Sequence, residues 1–384
     1  MADTLSDYDP AERRSTPLAI RLCETMPPEG LPLADYMRVC LLDPEHGYYN
    51  RRSVLGRDGD FITAPEISQA FGELIGLWAA VTWRQMGAPS AFDLIELGPG
   101  RGTLMADALR AAHRVPGFTS AVNLHLVEAS PRMRELQRET LADCGVALAW
   151  ADTICDDAPH AGSARPAIIL ANEFLDCLPI DQVRWKRGTD GAFDWSVRHV
   201  SVDKAELIDI WVPLLDGDPH RPLLPSNPPE CAIVEFAHTA PVIAAVAARA
   251  TVAPLAALFI DYGYGAGSSA TGASGDTLQA VRAHAYEHPL TAPGLADLSA
   301  HVDFAALARD VARHGLAVDG PATQAEFLGR LGIVERAAKL MASNPGKAAA
   351  IEAGIARLIA PGGMGTRFKA LGIRSPDLTR LPGL

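Results

Sequence analysis

Residues 92–102, FDLIELGPGRG, place an acidic side chain beside a glycine-rich turn. An apolar, strand-like run contains Glu96, three glycines follow at G-x-G-x-G spacing, and a run of good helix formers comes next. A strand, a glycine turn and a helix in this order present backbone N–H groups to nucleotide-like ligands in open parallel sheets. A tight strand-to-helix connection without a ligand is the alternative for this motif alone. The predicted cofactor-binding residues of the turn are Gly98, Pro99, Gly100 and Gly102.

The spacing and the acidic residue indicate which nucleotide-like ligand to expect. Dinucleotide-binding turns have the pattern G-x-G-x-x-G, and a carboxylate near the first glycine would repel a pyrophosphate. The ammonium and sulfonium groups of S-adenosylmethionine are cations, which the Glu96 carboxylate favours directly or through water. The turn therefore favours S-adenosylmethionine over NAD.

Two further predicted strands also end in acidic residues. Glu128 follows the apolar run at residues 122–127 and could accept both ribose hydroxyls of a nucleoside. It could equally be a first-turn acid of a helix capped by Ser130, and NAD-binding folds carry an acid here too. Asp152 follows a predicted strand at residues 146–150 and is either an acceptor for the adenine amino group or a solvated loop carboxylate.

A fourth apolar run, residues 166–171, suits a central parallel strand and ends in the sequence NEFLD. Ligands of open α/β sheets lie beyond the carboxyl ends of the strands, near the topological switch point. All four strand ends are therefore expected at one edge. The polar residues after the fourth strand are Asn172, Glu173 and Asp176. Capping of a following helix is the alternative role for the two acids.

Several long segments resemble the MidA family of class I methyltransferases. The matching segments are residues 59–76, 96–110, 172–181, 260–263, 301–304 and 364–371, of which GDFITAPEISQAFGELIG is the most specific. Mitochondrial members of this family assist assembly of respiratory complex I as protein-arginine methyltransferases. The resemblance implies S-adenosylmethionine as the cofactor. It also implies a protein substrate, for which a respiratory complex I subunit is a candidate. It also implies an N-terminal lid that brings five residues near the cofactor: Phe61, Thr63, Pro65, Ser68 and Gln69.

An arginine acceptor would require acidic groups, because a guanidinium has a pKa above about 12 and its lone pair is scarce. A paired carboxylate can orient the guanidinium and localise its charge away from the reactive nitrogen. Glu173 and Asp176 are the catalytic candidates, with Asn172 as a polar positioner. Their i to i+3 spacing could place both carboxylates on one helical face.

Composition restricts the partners and the compartment. A formal net charge of −12 argues against binding nucleic acid through phosphate contacts and permits a basic protein substrate. The six cysteines form no C-x-x-C pair and no metal-ligand spacing, so we expect reduced thiols and no metal site. The first residues have neither an apolar signal region nor a transit-peptide composition, and no stretch suits a membrane span. We therefore expect a cytoplasmic bacterial protein.

The expected fold class is α/β, with a Rossmann-like class I methyltransferase core, a mostly parallel sheet and helices on both faces. The predicted divisions are an N-terminal helical cap or lid (1–89), the first part of the core (90–182), a β-rich insertion (183–230) and the rest of the core with C-terminal helices (231–384). We assign the insertion hypothetically to substrate recognition, since a minimal methyltransferase does not need it. Competing hypotheses are a non-enzymatic assembly factor that binds the cofactor, a small-molecule methyltransferase and a nucleotide-linked oxidoreductase.

Overall fold

The computed structural model describes residues 14–50, 63–155, 165–187, 191–265 and 275–384. The chain divides into two compact units. We call residues 55–176, 239–266 and 302–384 the core unit, and residues 1–54, 177–238 and 267–301 the insertion unit. Each unit is built from segments that are distant in sequence.

The described strands, in chain order, are β1 (Leu31–Pro32), β2 (Phe92–Leu97), β3 (Val122–Val127), β4 (Leu148–Ala151), β5 (Ala167–Asn172), β6 (Ile180–Arg187), β7 (Phe193–Asp203), β8 (Glu206–Pro213), β9 (Ile233–Ala237), β10 (Leu255–Tyr264), β11 (Gln279–Arg282), β12 (Ala285–Glu287), β13 (Asp297–Ser299), β14 (Val302–Asp303), β15 (Ala317–Thr323) and β16 (Phe368–Arg374). The described helices are α1 (Pro17–Thr25), α2 (Leu33–Leu42), α3 (Ala64–Ile67), α4 (Gln69–Gln85), α5 (Thr103–Ala112), α6 (Phe118–Ala121), α7 (Pro131–Thr140), α8 (Ala240–Ala250), α9 (Phe304–Arg313), α10 (Gln324–Arg330), α11 (Ile333–Ser343) and α12 (Ala348–Ile359). None of these helices has the length and apolar character needed to cross a membrane.

The core unit contains a mixed sheet in the order β15-β16-β10-β5-β2-β3-β4, with β14 added beside β10. The strands from β10 to β4 are parallel, whereas β16 runs antiparallel to both β10 and β15. The chain passes from β2 outward to β4 and returns with β5 on the other side of β2. This reversal is a topological switch point between β2 and β5. The predicted class I methyltransferase core is confirmed.

The core strands are apolar because they are covered on both sides, as parallel sheets usually are. All six residues of β2 are buried, and so are five of the six residues of β5. Helix α4 buries 12 of its 17 residues, including Phe71 and Trp78, and packs against α5. This helix therefore belongs to the body of the core unit.

A buried charge network lies near the amino end of β2. Asp93 is fully buried and accepts hydrogen bonds from Arg165 (Nε to Oδ1, 3.0 Å) and from Arg249 of α8. Burial alone would raise the pKa of Asp93, but the contacts with His125 and Arg249 lower it. The carboxylate is thus ionised and holds two cations against the sheet.

Replacing Asp93 with alanine is expected to lower the free energy of unfolding by about 3–5 kcal/mol, because Arg249 would remain as an uncompensated buried charge. Asp310, whose ion-pair partner Arg313 is largely exposed, serves as the matched control and should cost less than about 1 kcal/mol. Urea unfolding of both alanine variants measures the difference. Equal losses would show that the Asp93 network contributes no more than a surface ion pair.

The insertion unit contains an antiparallel sheet in the order β1-β7-β6-β9, with β8 beside β7, and a smaller sheet in the order β12-β11-β13. Alternate residues of the larger sheet face an apolar cluster around Val183 and Trp195. The opposite face mixes buried polar residues such as Gln182 and Arg198 with buried apolar ones such as Ile180 and Val200. This alternation explains why the sequence predicted short strands here.

The unit boundaries differ from the predicted divisions. Residues 232–236, predicted to resume the core, lie in β9, which pairs with β6 of the insertion unit. Residues 14–50 belong to the insertion unit and residues 63–89 to the core unit, so the predicted 1–89 block is divided. Periodicity shows that a helix or strand has an apolar face, but it does not show which distant segment covers that face.

Candidate functional site

Five parallel strands of the core unit end at one edge of the sheet. The register pairs Leu97 with both Val127 and Ala171, and Asn172 with Ile260. The residues predicted from four separate strand ends therefore follow neighbouring strands, and the expectation of a common edge is confirmed.

Glu96 is the acid that precedes the glycine turn, and its side chain is 2 % exposed. Its Oε2 atom is buried and has no hydrogen-bond partner among the described residues. Burial raises the pKa of Glu96 from 4.5 to about 8. An orphaned, buried acceptor of this kind would be satisfied by a cation or an N–H group of a ligand, so it fits the aminoacyl part of S-adenosylmethionine.

The glycine turn requires glycine for conformational reasons. Gly98, Gly100 and Gly102 have φ values of 61°, 52° and 83°, in the left-handed region that side chains disfavour. A Cβ atom on Gly98 would lie 3.0 Å from the ring of Phe174. The turn thus keeps its backbone bare between the end of β2 and the start of α5, as a close approach to a ligand requires.

Glu128 follows β3, and both of its carboxylate oxygens accept hydrogen bonds. The Ser130 backbone N–H donates to Oε1 at 2.8 Å, and Gln137 Nε2 donates to Oε2 at 3.2 Å. Burial raises the pKa of Glu128. Ser130 caps α7 as predicted, but this helix has no acidic residue in its first turn, so the alternative role of Glu128 as a first-turn acid is wrong. Each carboxylate oxygen retains a second lone pair, so the ribose role stays a prediction.

Gln137 is a residue that the sequence reasoning missed. It is fully buried in α7, and its Nε2 also donates to the carbonyl of Gly100 at 2.8 Å. Its Oε1 accepts from Trp150 Nε1 at 2.8 Å. One amide therefore joins the glycine turn, Glu128 and β4. A glutamine in a polar helix carries no motif, and only the long-range contacts reveal this role.

Replacing Gln137 with leucine is expected to raise the Kd for S-adenosylmethionine roughly ten- to hundredfold, because three partly buried polar partners would each lose a bond. Gln85, whose side chain donates to an exposed carbonyl at 3.4 Å, provides the control substitution. Calorimetric titration of both leucine variants measures the change. An unaltered Kd in Gln137→Leu would show that the network does not support cofactor binding.

Asp152 is placed differently from the other predicted cofactor residues. Its side chain is 70 % exposed and forms an ion pair with Arg134. Arg134 also donates from Nε to the Glu128 carbonyl at 2.7 Å. In the structure, the Asp152 carboxylate pairs with the Arg134 guanidinium. Its role as an acceptor for the adenine amino group stays a prediction.

The polar residues that follow β5 form a buried turn. Glu173 has a φ of 52°, which is strained for a residue with a side chain, and its Oε1 accepts from the Ala64 N–H (2.8 Å) and from Asn172 Nδ2 (3.0 Å). Asn172 Oδ1 is buried without a hydrogen-bond partner in the described structure. Burial, together with the charge of Asp176, raises the pKa of Glu173 to about 7.

The helix expected after β5 is absent: between Asn172 and Ile180 the described chain forms bends and turns and then enters β6. The predicted shared helical face of Glu173 and Asp176, and the alternative of helix capping, are therefore both wrong. Asp261 of β10 accounts for the turn. Its Oδ2 accepts from the backbone N–H groups of Phe174 (3.1 Å), Leu175 (2.8 Å) and Asp176 (3.2 Å).

Asp261 thus completes a cluster of three carboxyl groups at the strand edge, of which Asp176 and Asp261 are buried. Burial and the charges of Asp176 and Glu173 raise the pKa of Asp261. Like-charged groups held this close are stabilised in their ionised forms when a cation lies between them. The cluster can therefore bind and orient a cationic group. The sequence left open whether Asp261 contacts the acceptor or only satisfies the end of its strand.

The predicted lid residues lie partly within the described structure. Thr63 precedes α3, and Pro65 is its second residue. Between them, the backbone N–H of Ala64 donates a hydrogen bond to Glu173. Ser68 caps α4 through the Ala70 N–H (3.3 Å), and Gln69 donates to Glu73 (3.2 Å). Phe61 lies outside the described residues. Only the α3 segment is thus placed beside the catalytic candidates, and the cofactor roles of these residues stay predictions.

No metal site was expected, and within the described ranges no three His, Cys, Asp or Glu side chains are grouped so that they could hold a metal ion. The sheet order, the switch point, the left-handed glycine turn and the buried acid at the end of β2 define the class of protein: an α/β methyltransferase of class I. Residues 74–322 match the family described as "Putative S-adenosyl-L-methionine-dependent methyltransferase". The chain belongs to this family of S-adenosylmethionine-dependent methyltransferases, in which the MidA proteins are found.

Similar proteins extend over nearly the whole chain. The "Protein arginine methyltransferase NDUFAF7, mitochondrial" of Danio rerio is 36 % identical over 382 residues, which cover 92 % of this chain and 84 % of that protein. The Homo sapiens protein of the same name is 32 % identical, covering 94 % and 84 %. A crystal structure of a Burkholderia thailandensis protein bound to S-adenosyl-homocysteine has a TM-score of 0.81 at 26 % identity, covering 96 % of this chain and 97 % of that one. The chain is an S-adenosylmethionine-dependent enzyme.

Proposed function

We propose that this methyltransferase acts on an arginine side chain of a protein substrate, and that a respiratory complex I subunit is that substrate. The names of the curated relatives support the arginine acceptor. The resemblance to the MidA family adds the link to complex I. The single observation that carries the proposal is the carboxyl cluster of Glu173, Asp176 and Asp261 at the edge that also bears Glu96.

The chemistry of the acceptor explains why this cluster matters. A guanidinium is planar and permanently charged, and it pairs with carboxylates in a bidentate manner. S-adenosylmethionine supplies an electrophilic methyl group on a sulfonium. The protein has to hold one guanidinium nitrogen in line with that methyl group, and alignment of this kind lowers a barrier substantially.

Glu173 is the group that we assign to orient the guanidinium. Its Oε1 is already fixed by Ala64 and Asn172, so the carboxylate direction is set before the substrate binds. The Asp176 carboxylate would pair with the same guanidinium. The Asn172 Oδ1 atom, which has no hydrogen-bond partner in the described structure, would accept a hydrogen bond from one of the guanidinium N–H groups. Asp261 holds the turn and does not need to contact the substrate.

The proposal includes a cytoplasmic location in a bacterium. All six cysteines are free thiols. Thiols of this kind are typical of a reducing compartment. The location can be tested by fractionating cells and detecting the protein with an antibody.

The proposal is tested with methyl-labelled S-adenosylmethionine and an extract from cells that lack this protein. A labelled protein band that appears with the wild type and is absent with Glu96→Ala is expected, and hydrolysis should recover the label in methylarginine. Label in another amino acid would contradict the arginine acceptor. Cofactor binding without any labelled protein would instead favour an assembly factor or a small-molecule acceptor.

A further inference from the structure

The larger sheet of the insertion unit packs one face against an apolar cluster, and its other face carries both polar and buried apolar residues. Residues on β6 alternate between them: Val183 and Trp185 contact the apolar cluster, whereas Gln182 and Arg184 lie on the opposite face. The register places Arg198 of β7 beside Gln182 and Trp211 of β8 beside Arg198. This second face carries two arginines on adjacent strands, Arg184 on β6 and Arg198 on β7.

One of the two arginines is fully paired inside the sheet. Arg198 is buried and binds Asp209 through two parallel hydrogen bonds, Nε to Oδ1 at 2.8 Å and Nη2 to Oδ2 at 2.9 Å. Its Nη1 donates to Gln182 Oε1 at 2.7 Å. Both charges are therefore matched, and Asp209 is already engaged.

Arg184 is the other arginine, and its charge is not matched. Its Nε is buried without a hydrogen-bond partner, and the guanidinium forms no ion pair with any described residue. The guanidinium carbon lies 3.9 Å from the centre of the Trp211 ring, a cation–π contact that restricts the position of the group. Burial and the nearby Arg198 charge lower the pKa of Arg184, and the opposing effects of Cys231 and Asp209 do not offset them.

A buried donor without a partner indicates a missing ligand, since native structures rarely leave such groups unsatisfied. A guanidinium is planar and presents two parallel N–H groups, which match a carboxylate. The net charge of −12 opposes polyanions such as nucleic acid and leaves a single carboxylate as the favoured anion. We propose that Arg184 and Trp211 form a recognition site for an aspartate or glutamate side chain of the protein substrate.

This inference rests on the proposed function, because it requires a protein acceptor. It gives the insertion unit a specific role, which is to select substrates that carry an acidic residue in addition to the methylated arginine. Substrate selection by a charge pair acts mainly on binding of the acceptor and leaves the chemical step unchanged.

The test compares Arg184→Met with Arg187→Met. Arg187 is three positions further along β6, on the opposite face, and also covers an aromatic ring, that of Phe193. Initial rates of protein labelling are measured across a dilution series of the same extract. Arg184→Met is expected to raise the apparent KM for the acceptor about tenfold or more, with kcat and the Kd for S-adenosylmethionine within twofold. Arg187→Met should match the wild type.

Further readouts separate recognition from a structural role. The difference in apparent KM between the wild type and Arg184→Met should shrink as the salt concentration rises from 50 to 500 mM, because the Debye length falls from about 14 to about 4 Å. Arg184→Met should melt close to the wild type, since the arginine is only half-buried and its Nε has no hydrogen-bond partner in the described structure. Arg184→Lys should give an intermediate KM, because an ammonium keeps the charge but loses the planar fork.

Each outcome decides the inference. A wild type that labels no protein would overturn the proposed function and this site together. A wild type that labels protein while Arg184→Met gives an equal KM would overturn the site alone, as would equal KM losses in both methionine variants. Once the methylated peptide is known, replacing its acidic residue with the amide should raise KM in the wild type and add nothing in Arg184→Met.

Discussion

Replacing Glu173 with glutamine is expected to lower kcat for methyl transfer about 10²–10³-fold while the Kd for S-adenosylmethionine changes less than twofold. A loss of this size is typical when one preorganised electrostatic group is removed from an active site. Glutamine keeps the size of the side chain and can still accept from the Ala64 N–H. The loss would therefore report the missing negative charge at the guanidinium.

The pH dependence provides a second readout of the same group. The pKa of Glu173 is about 7, so the carboxyl group is protonated below that pH and ionised above it. Because the ionised form is required, kcat/KM for the acceptor should rise with pH through about 7 in the wild type. This rise should disappear in Glu173→Gln.

Asp107 supplies the control for the Glu173 experiment. It is a buried acid of the same unit, its burial also raises its pKa, and it pairs with Arg110 of the same helix. Asp107→Asn should retain kcat within about twofold. If Glu173→Gln kept full turnover, or if both amide variants lost it equally, Glu173 would not be the catalytic carboxylate.

The affinity for S-adenosylmethionine is expected to rise up to tenfold for each pH unit between about 6 and 8. The reason is that burial raises the pKa of Glu96 to about 8, whereas a bound cation requires the ionised form. Binding should therefore release a proton. Calorimetry in buffers of different ionisation enthalpy measures this release, and Glu96→Gln should bind weakly and without the pH dependence.

Stability should change with pH in the opposite direction. A carboxyl group whose folded pKa exceeds its unfolded value of 4.5 favours the folded state in its protonated form. Its contribution is therefore fully present below about pH 4.5 and is lost as pH rises towards about 8. The free energy of unfolding of Glu96→Gln should improve relative to the wild type by up to about 1.4 kcal/mol per pH unit across this range.

Observation of both pH effects would identify Glu96 as a buried acid that, when ionised, destabilises the cofactor-free protein and stabilises the bound cofactor. The control is Glu235, another buried acid whose pKa is raised to about 7, which lies in the insertion unit. Glu235→Gln should alter the pH dependence of stability but not that of cofactor affinity. A pH-independent affinity in the wild type would refute the role of Glu96.

Much of the core unit could be predicted because its signals are local. The apolar runs before Glu96 and Glu128 correspond to β2 and β3, and the glycine spacing indicated the turn that follows β2. Parallel strands place their carboxyl ends at one edge, so four separate runs predicted one site. The resemblance to the MidA family, now confirmed, added the cofactor and the enzyme class.

The site's supporting contacts could not be predicted, because each joins residues that are far apart in sequence. Gln137 reaches Gly100 across 37 positions, and Asp261 reaches Leu175 across 86. A glutamine or aspartate has no periodicity that reveals its partner. The prediction of a helix after β5 was wrong for the same reason. Asp261, which is distant in sequence, accepts hydrogen bonds from the backbone N–H groups of the turn that forms there instead.

The sequence by itself determined the parallel core, the glycine turn, the acids at the strand ends and the family, because strand periodicity, turn chemistry and motif spacing are short-range properties of the chain. Only the tertiary structure decided that residues 14–50 and β9 join the insertion unit, that Asp261 gathers the carboxyl cluster, and that Arg184 lacks an anion. Those features depend on burial and on hydrogen-bond partners brought together by folding, which set the pKa and the charge balance of each group.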